Sequence, residues 1–280
     1  MGAKSVVSGL LTLGLLAGAG YAVATFLNDR PAFPLTSDCE VTGDATVRLE
    51  AEQMGHAATI AAVGLRRDLP ERAVTVALAT ALQESKLRNL SAGDRDSVGL
   101  FQQRPSQGWG TPEQLNDPRY AAGAFYDHLL QIPGWDQMRI TEAAQAVQKS
   151  AHPEAYQKWS QEATVLTSGL AGDSPAVVAC RFSGEPVAGA GLATLREAIR
   201  LDWGEVSADE AHQGGVALNV GDNRSGWQLA HWLVAHSAEY GISEVRFHDR
   251  RWTAEDGHWR RTDAGNGAVI AQFYGEPNHG

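Results

Sequence analysis

Positive charge is scarce in this sequence, where 23 lysines and arginines stand against 33 aspartates and glutamates, for a formal net charge of −10. Because phosphate binding needs clustered lysine and arginine, this balance argues against nucleic acid as a partner. It allows a neutral or zwitterionic substrate. The hydrophobic fraction of 43% excludes an intrinsically disordered chain, and 280 residues suit two domains or one large one.

Cysteine is also scarce, since the chain holds only Cys39 and Cys180. Most of the first two thirds of the chain lies between them, so a disulfide would tie the two ends of one domain together. The loop-closure entropy of that span is on the order of 5 kcal/mol. The alternative is two unrelated buried thiols. We favour the disulfide because the N-terminus indicates export to a compartment where disulfides persist.

Charge is absent from Ser5 to Leu27, and Lys4 precedes this apolar run. The run is long enough to cross a bilayer, which takes roughly 20 residues, and Lys4 would keep the N-terminus inside. Two interpretations stay open. Residues 1–30 are an uncleaved anchor, with membrane contact through 5–27, or a signal peptide cut after Ala22-Val23-Ala24 of a secreted protein. Both place the body of the protein outside the cytoplasm.

The periodicity of apolar residues predicts an α+β protein. Residues 39–182 form a mostly helical first domain, with a short strand or extended segment at 98–103. Its predicted helices cover 47–68, 71–87, 118–130, 141–150 and 153–168. The composition then shifts to a linker at 183–192. A small α+β domain follows at 193–280, with predicted helices at 194–201 and 227–240 and predicted strands at 215–220, 243–248 and 269–274.

The candidate catalytic group lies where the helix predicted at 71–87 ends. Glu84 falls in its last turn, beside a groove of small residues, where carbonyl oxygens have no helical partner. The negative end of the helix dipole and the apolar surroundings both favour a protonated carboxyl group. A general acid that protonates a glycosidic oxygen needs this form. The alternative is an ordinary solvated glutamate near a helix end.

A pair of motifs carries a family resemblance. Glu84-Ser85, with Gly99-Leu100-Phe101-Gln102 starting fourteen positions after Ser85, resembles the soluble lytic transglycosylase family of the lysozyme superfamily. That family has a Glu-Ser motif on a helix, a Gly-Leu-Met-Gln-like motif after a loop, and a later Ala-Tyr-Asn-like motif. Here Phe101 replaces the methionine, and Ala146-Val147-Gln148 departs from the third motif at two of three positions. The resemblance covers 47–170.

The resemblance implies a lysozyme-like domain that cleaves the MurNAc–GlcNAc bond of peptidoglycan strands. Glu84 would act first as acid and then as base, giving a 1,6-anhydro product. A hydrolase usually needs a second carboxylate, and Asp94 and Asp96 are available in the loop. The first alternative is therefore a muramidase, and the second is a non-catalytic peptidoglycan-binding protein. The predicted substrate-binding residues are Ser85, Gln102, Gln103, Gln148 and Tyr156, of which the last resembles a tyrosine that often contacts the family's glutamate.

The second domain has no His-x-His pair. His212 and Asn219 have the spacing H-x-x-G-x-A-x-N, which is similar to the H-x-x-G-x-A-x-D of zinc D-Ala-D-Ala carboxypeptidases. An uncharged amide is a poor zinc ligand beside a carboxylate. We therefore expect no metal and no other cofactor, and a non-catalytic peptidase-like domain that holds peptidoglycan stems. The protein is expected to act as a monomer.

Overall fold

The computed structural model describes residues 38–182, 192–211, 215–263, 265 and 267–274. The apolar run 5–27, residues 183–191 of the predicted linker and His212 lie outside the described residues. Within the described ranges, no helix is long and apolar enough to cross a bilayer.

The described residues combine helices with two antiparallel sheets, which confirms the α+β class. The helices are α1 (Ala51–Arg66), α2 (Glu71–Glu84), α3 (Pro112–Leu115), α4 (Pro118–Leu130), α5 (Ile140–Gln148), α6 (Ser160–Leu170), α7 (Leu192–Trp203), α8 (Asn223–Ala235) and α9 (Ser237–Tyr240). The strands are β1 (Asp38–Thr42), β2 (Thr46–Glu50), β3 (Val178–Arg181), β4 (Ala208–Glu210), β5 (Val216–Leu218), β6 (Ile242–Phe247), β7 (Arg250–Thr253), β8 (Trp259–Arg261) and β9 (Val269–Phe273).

The first sheet has the order β2-β1-β3 and joins the two ends of the mostly helical region. Cys39 on β1 lies directly opposite Cys180 on β3, and the two form a disulfide, as predicted. The helix predicted at 47–68 is wrong for 47–50, which form β2. Val47 is buried while its neighbours Thr46 and Arg48 are exposed, so this short segment alternates as a strand does and pairs with β1.

Helix α2 is the centre of the helical region and packs against α6, α1 and α5. Its residues from Ala73 to Leu82 carry no charge, and all ten of them are buried. The helix starts after Pro70, as predicted, but it ends at Glu84, so the predicted end at residue 87 is wrong. It ends there because Lys86 and Leu87 adopt left-handed backbone angles, with φ of 58° and 59°.

Two helices downstream of the site begin at side-chain caps. Thr111 accepts a hydrogen bond from the backbone N–H of Gln114 at the start of α3, and Asp117 accepts one from Arg119 at the start of α4. The helix predicted at 153–168 is wrong at its start, because α6 begins only at Ser160. The residues before it form turns that bring Tyr156 into the interior.

The second sheet has the order β4-β5-β9-β6-β7-β8, and every pairing in it is antiparallel. Its strands β5, β6 and β9 lie where the sequence predicted strands, whereas β4, β7 and β8 were not predicted. Helix α8 packs against β6 and β9. The single helix predicted at 227–240 is two helices, because the chain leaves helical geometry at His236 between α8 and α9.

Buried polar groups connect the residues of the two predicted domains. Asp202 on α7 is fully buried and accepts hydrogen bonds from Thr59 Oγ1 at 3.2 Å and Trp232 Nε1 at 2.8 Å. Arg119 forms an ion pair with the same carboxylate, and His236 Nε2 lies 3.3 Å from Thr59 Oγ1. The described residues accordingly form one compact unit. The division at 183–192 stays a prediction.

His231 on α8 is a second such connection and requires a neutral imidazole. Its Nδ1 lies 2.7 Å from the Gly169 carbonyl oxygen, and the Val177 backbone N–H donates to its Nε2 at 3.3 Å. These partners fit a ring that is protonated at Nδ1 and accepts at Nε2. A second proton at Nε2 would face an N–H donor inside the core. Burial lowers the pKa of His231 to about 4.

We expect this histidine to make the fold sensitive to acid. Since the pKa of His231 is lower in the folded chain than its ordinary value near 6.5, its contribution to stability is complete above pH 6.5 and is lost as the pH falls toward 4. The shift corresponds to about 3 kcal/mol. The free energy of unfolding, measured by urea denaturation from pH 7 to pH 4, should fall less steeply in His231→Gln than in the wild type. The exposed His128→Gln serves as control and should keep the wild-type slope, and equal slopes in all three proteins would contradict this assignment.

Candidate active site

Glu84 is the last residue of α2 and is half-buried. The hydroxyl group of Tyr156 donates a hydrogen bond to Glu84 Oε1 at 2.7 Å. Tyr156 itself is fully buried. Burial and the negative charge of Glu84 both raise the pKa of Tyr156, so the phenol remains a donor to the carboxylate at neutral pH. Among the described residues only Tyr156 donates to this carboxylate, which leaves Oε2 available to a ligand.

A tight turn at 98–103 lies beside Glu84 and is held from two sides. Ser85 Oγ donates to the Leu100 carbonyl oxygen at 2.7 Å, and Gln148 Nε2 donates to the Phe101 carbonyl oxygen at 2.8 Å. Gly99 has φ of +77°, and a Cβ there would lie 2.2 Å from a backbone oxygen of α3, so glycine is required. The segment predicted as a strand or extended chain is therefore a turn, closed by a single bridge between its ends.

Of the other two predicted glutamines, Gln102 stabilises the turn and Gln103 lies in the interior. Gln102 Nε2 donates to the Gly99 carbonyl oxygen at 3.1 Å, and Ser97 Oγ donates to Gln102 Oε1 at 3.1 Å. Gln103 is only 2% exposed, and its Nε2 donates to the Ala121 carbonyl oxygen at 3.2 Å. The structure therefore brings Glu84, Ser85, the turn, Gln148 and Tyr156 together, and it places Gln103 in the core.

The loop before the turn carries the two carboxylates considered as a second catalytic group. Asp94 has a side chain that is 92% exposed. Asp96 is engaged at both oxygens, by Arg104 Nε at 2.8 Å and by the Ser106 backbone N–H at 2.8 Å. The hydrogen bonds from Ser106 and Arg104 hold the pKa of Asp96 well below its usual range. Asp96 is therefore an ionised group that fastens its own loop.

An indole and an ammonium group beside Glu84 were not predicted as site residues. Trp159 Nε1 donates to Gln83 Oε1 at 2.9 Å, which fixes the indole next to the end of α2. Lys86 Nζ lies 4.1 Å from the centre of the Trp159 ring, a cation–π distance. Burial is the main cause that lowers the pKa of Lys86. The sequence signal that could have pointed to Trp159 is its position three residues after Tyr156. That segment was instead predicted to be a regular helix.

Two further aromatic residues of this region, Tyr126 and Trp109, pack against other side chains or lie in the core. The hydroxyl group of the buried Tyr126 donates to the Ile60 carbonyl oxygen at 2.9 Å, so this ring is part of the core. Trp109 is half-buried and stacks on His128 with ring centres 3.9 Å apart. Neither contact involves Glu84.

Asn219 stands where the resemblance to the zinc carboxypeptidases expects an aspartate. It donates through Nδ2 to Asp209 Oδ2 at 2.9 Å, a contact from the residue after β5 to the neighbouring strand β4. Across the described part of the chain, no group of three histidine, cysteine, aspartate or glutamate side chains is placed to hold a metal ion.

The site has the components for acid–base chemistry on one ligand. A carboxyl group with one free oxygen can give a proton to a ligand oxygen and later take one back. Tyr156 donates a hydrogen bond to this carboxyl group, a contact worth about 1.5–3 kcal/mol when the acceptor is charged. The turn fixed by Ser85 and Gln148 provides rigid backbone beside it.

Tyr156→Phe tests the contribution of this hydrogen bond. Because only the hydroxyl group is lost, we expect the fold to persist and the turnover number of a reaction that uses Glu84 as acid and base to fall about tenfold or more. The Michaelis constant should change little, since Tyr156 is buried behind the carboxylate. Tyr120→Phe removes an exposed hydroxyl group from α4 and is the control. An unchanged turnover number in Tyr156→Phe would exclude a role for this contact.

The sequence matches no protein-family model, and a search of the curated proteins gives no significant match.

Proposed function

We propose that this protein cleaves peptidoglycan strands as a lytic transglycosylase, with Glu84 as its single catalytic acid and base. The observation that carries the proposal is the 2.7 Å hydrogen bond from the Tyr156 hydroxyl group to Glu84 Oε1. It fixes a half-buried carboxyl group at the end of a buried helix, and it joins the two motifs of the family resemblance to a third residue expected from that resemblance.

The reaction proceeds in two proton transfers through Glu84. In the first, Glu84 gives its proton to the glycosidic oxygen as the bond from C1 of MurNAc to that oxygen breaks, and the GlcNAc end leaves as an alcohol. In the second, the C6 hydroxyl group of the same MurNAc attacks C1 and loses its proton to Glu84. The 1,6-anhydro ring forms and the acid is regenerated. During the interval the Tyr156 hydroxyl group stabilises the Glu84 carboxylate.

The loop carboxylates favour this route over hydrolysis. Inverting and retaining hydrolases use a second carboxylate that acts on water or on the sugar. Asp94 lies in solvent, and both oxygens of Asp96 are engaged by Arg104 and Ser106. We therefore assign neither as a second catalytic carboxylate. A muramidase is the alternative that the test below distinguishes.

The remaining expectations belong to the same proposal. We propose that the protein works outside the cytoplasm, as an anchored or secreted monomer. The Cys39–Cys180 disulfide supports this location, because such bonds persist in oxidising compartments. The region 192–274 would act as a non-catalytic platform, and its contacts with α1 through Asp202 support a fixed position relative to the site.

The proposal is tested by incubating the purified protein with peptidoglycan sacculi and identifying the released muropeptides by mass spectrometry. We expect muropeptides with 1,6-anhydro ends. Reducing ends would identify a muramidase. No release, together with binding to the sacculi, would identify a non-catalytic binding protein.

A further inference from the structure

Lysine is concentrated around Glu84. The sequence has four lysines, and the three within the described residues are Lys86, Lys149 and Lys158. Each lies within two positions of a site residue: Lys86 follows Glu84 by two, Lys149 follows Gln148, and Lys158 follows Tyr156 by two. All three are exposed. The described lysines thus follow residues of one site in the sequence, and two of them lie at one aromatic ring.

Two of these ammonium groups share one aromatic ring. Lys86 Nζ lies 4.1 Å and Lys158 Nζ 5.4 Å from the centre of the Trp159 indole, which Gln83 holds in place. Lys86 Nζ also donates to the Leu82 carbonyl oxygen at 3.1 Å, which directs it along the end of α2. The two like charges repel each other, and Lys158 is among the causes that lower the pKa of Lys86. An anion bound beside the ring would relieve this repulsion.

The charges of the three lysines are available to a ligand. No carboxylate among the described residues forms an ion pair with any of them. The neighbouring arginines are engaged instead, since Arg104 pairs with Asp96, and Arg139 pairs with Glu142 and Glu154. The negative charges of Glu162 and Glu84 influence Lys86 without forming an ion pair with it.

The chemistry of these groups indicates a carboxylated substrate. A chain with a net charge of −10 repels an anionic polymer, so local positive charge is needed to hold such a polymer at Glu84. Lysine acts as a point charge without the planar fork of arginine, which suits carboxylates at variable positions along a strand. The indole adds an apolar face for a sugar ring or a side group.

We propose that Lys86 and Lys158, at the Trp159 ring, form an anion-binding rim that selects glycan strands with carboxylate-bearing side groups over neutral strands. This inference rests on the proposed function and adds to it the residues that determine its specificity. The rim determines specificity and takes no part in the proton transfers at Glu84.

The test measures binding rather than cleavage, in the full chain with Glu84→Gln as background. The two probes are soluble peptidoglycan strands that carry peptide stems, and chitohexaose, which has a similar sugar backbone without carboxylates. We expect Lys86→Gln with Lys158→Gln to weaken binding of the stem-bearing strands about tenfold at low salt and to leave chitohexaose binding unchanged. The lysine-to-arginine pair at the same positions should retain the preference.

Arg260→Gln with Arg261→Gln is the matched control, because it removes two exposed positive charges from β8. It should leave binding of both probes unchanged. An equal loss for both probes in the lysine variant, an equal loss in the arginine control, or the absence of any preference for the carboxylated strand would overturn the rim. If the rim variants behave as expected while the wild type releases nothing from sacculi, the anion-binding role of the rim is supported and the enzymatic proposal fails.

Discussion

Glu84→Gln is expected to reduce the release of muropeptides from sacculi by roughly 10³-fold, because an amide of similar shape can neither give nor take the proton. Tyr156 remains able to donate to the amide oxygen of the variant. We therefore expect the folded structure and the affinity for glycan to persist while turnover is lost. Release is measured by chromatography of the soluble products at matched protein concentrations.

Glu162→Gln is the matched control for this substitution. It removes one negative charge near Lys86, at the start of α6, without touching Tyr156 or the turn. Its activity should stay within about threefold of the wild type, as expected for a surface substitution. A Glu84→Gln protein that keeps a tenth or more of the wild-type rate would show that another group supplies the proton.

Removal of the Cys39–Cys180 disulfide is expected to lower the free energy of unfolding by about 5 kcal/mol, because the bond closes a loop across 141 positions of sequence. The bond joins the adjacent strands β1 and β3, whose pairing alone must then hold the two ends of the helical region together. Urea denaturation of the oxidised protein and of the Cys39→Ala, Cys180→Ala double variant measures the difference.

A reducing agent should destabilise the wild type and have no effect on the double variant, which separates the disulfide from other effects of the reagent. Two free thiols in the denatured, unreduced protein would contradict the bond itself. A difference in unfolding free energy below about 1 kcal/mol would contradict its role in constraining the unfolded chain.

The sequence was sufficient to place Glu84 in the last turn of a buried helix because the relevant signals are local. The run from Ala73 to Leu82 carries no charge, which is typical of a buried helix, and a proline such as Pro70 is typical of a helix start. The segment 98–103 was predicted as a strand or extended chain. That the segment 98–103 is a turn depends on tertiary contacts from Ser85 and Gln148, and these pairs are separated by 15 and 47 positions.

Features built from distant pairs could not be read from local patterns. Strand β2 is five residues long and runs directly into α1, so its alternation of buried and exposed residues merges with the helical pattern. Its partner β1 also pairs with β3, and the facing residues Cys39 and Cys180 are 141 positions apart in the sequence. Asp202 has the sequence context of an ordinary polar residue on α7. Its complete burial depends on partners that lie elsewhere in the chain, such as Thr59 and Arg119.

The site combines residues that the sequence predicted with residues that only folding reveals. Tyr156 was expected from the family resemblance, and the structure places its hydroxyl group on Glu84. Trp159 lies just before α6, which begins at Ser160, later than predicted. The chain also turns sharply after Glu84, and together these features bring Lys86 to the Trp159 ring. The helix predicted over 153–168 would instead have placed Trp159 on the surface of a regular helix.

We propose that one carboxyl group cleaves the strand and that a sugar hydroxyl group, not water, completes the reaction. Digestion of sacculi in water enriched in oxygen-18, followed by mass spectrometry of the muropeptides, measures this directly. We predict products with 1,6-anhydro ends that contain no heavy oxygen. Products with reducing ends that carry oxygen-18 from the solvent would contradict this mechanism.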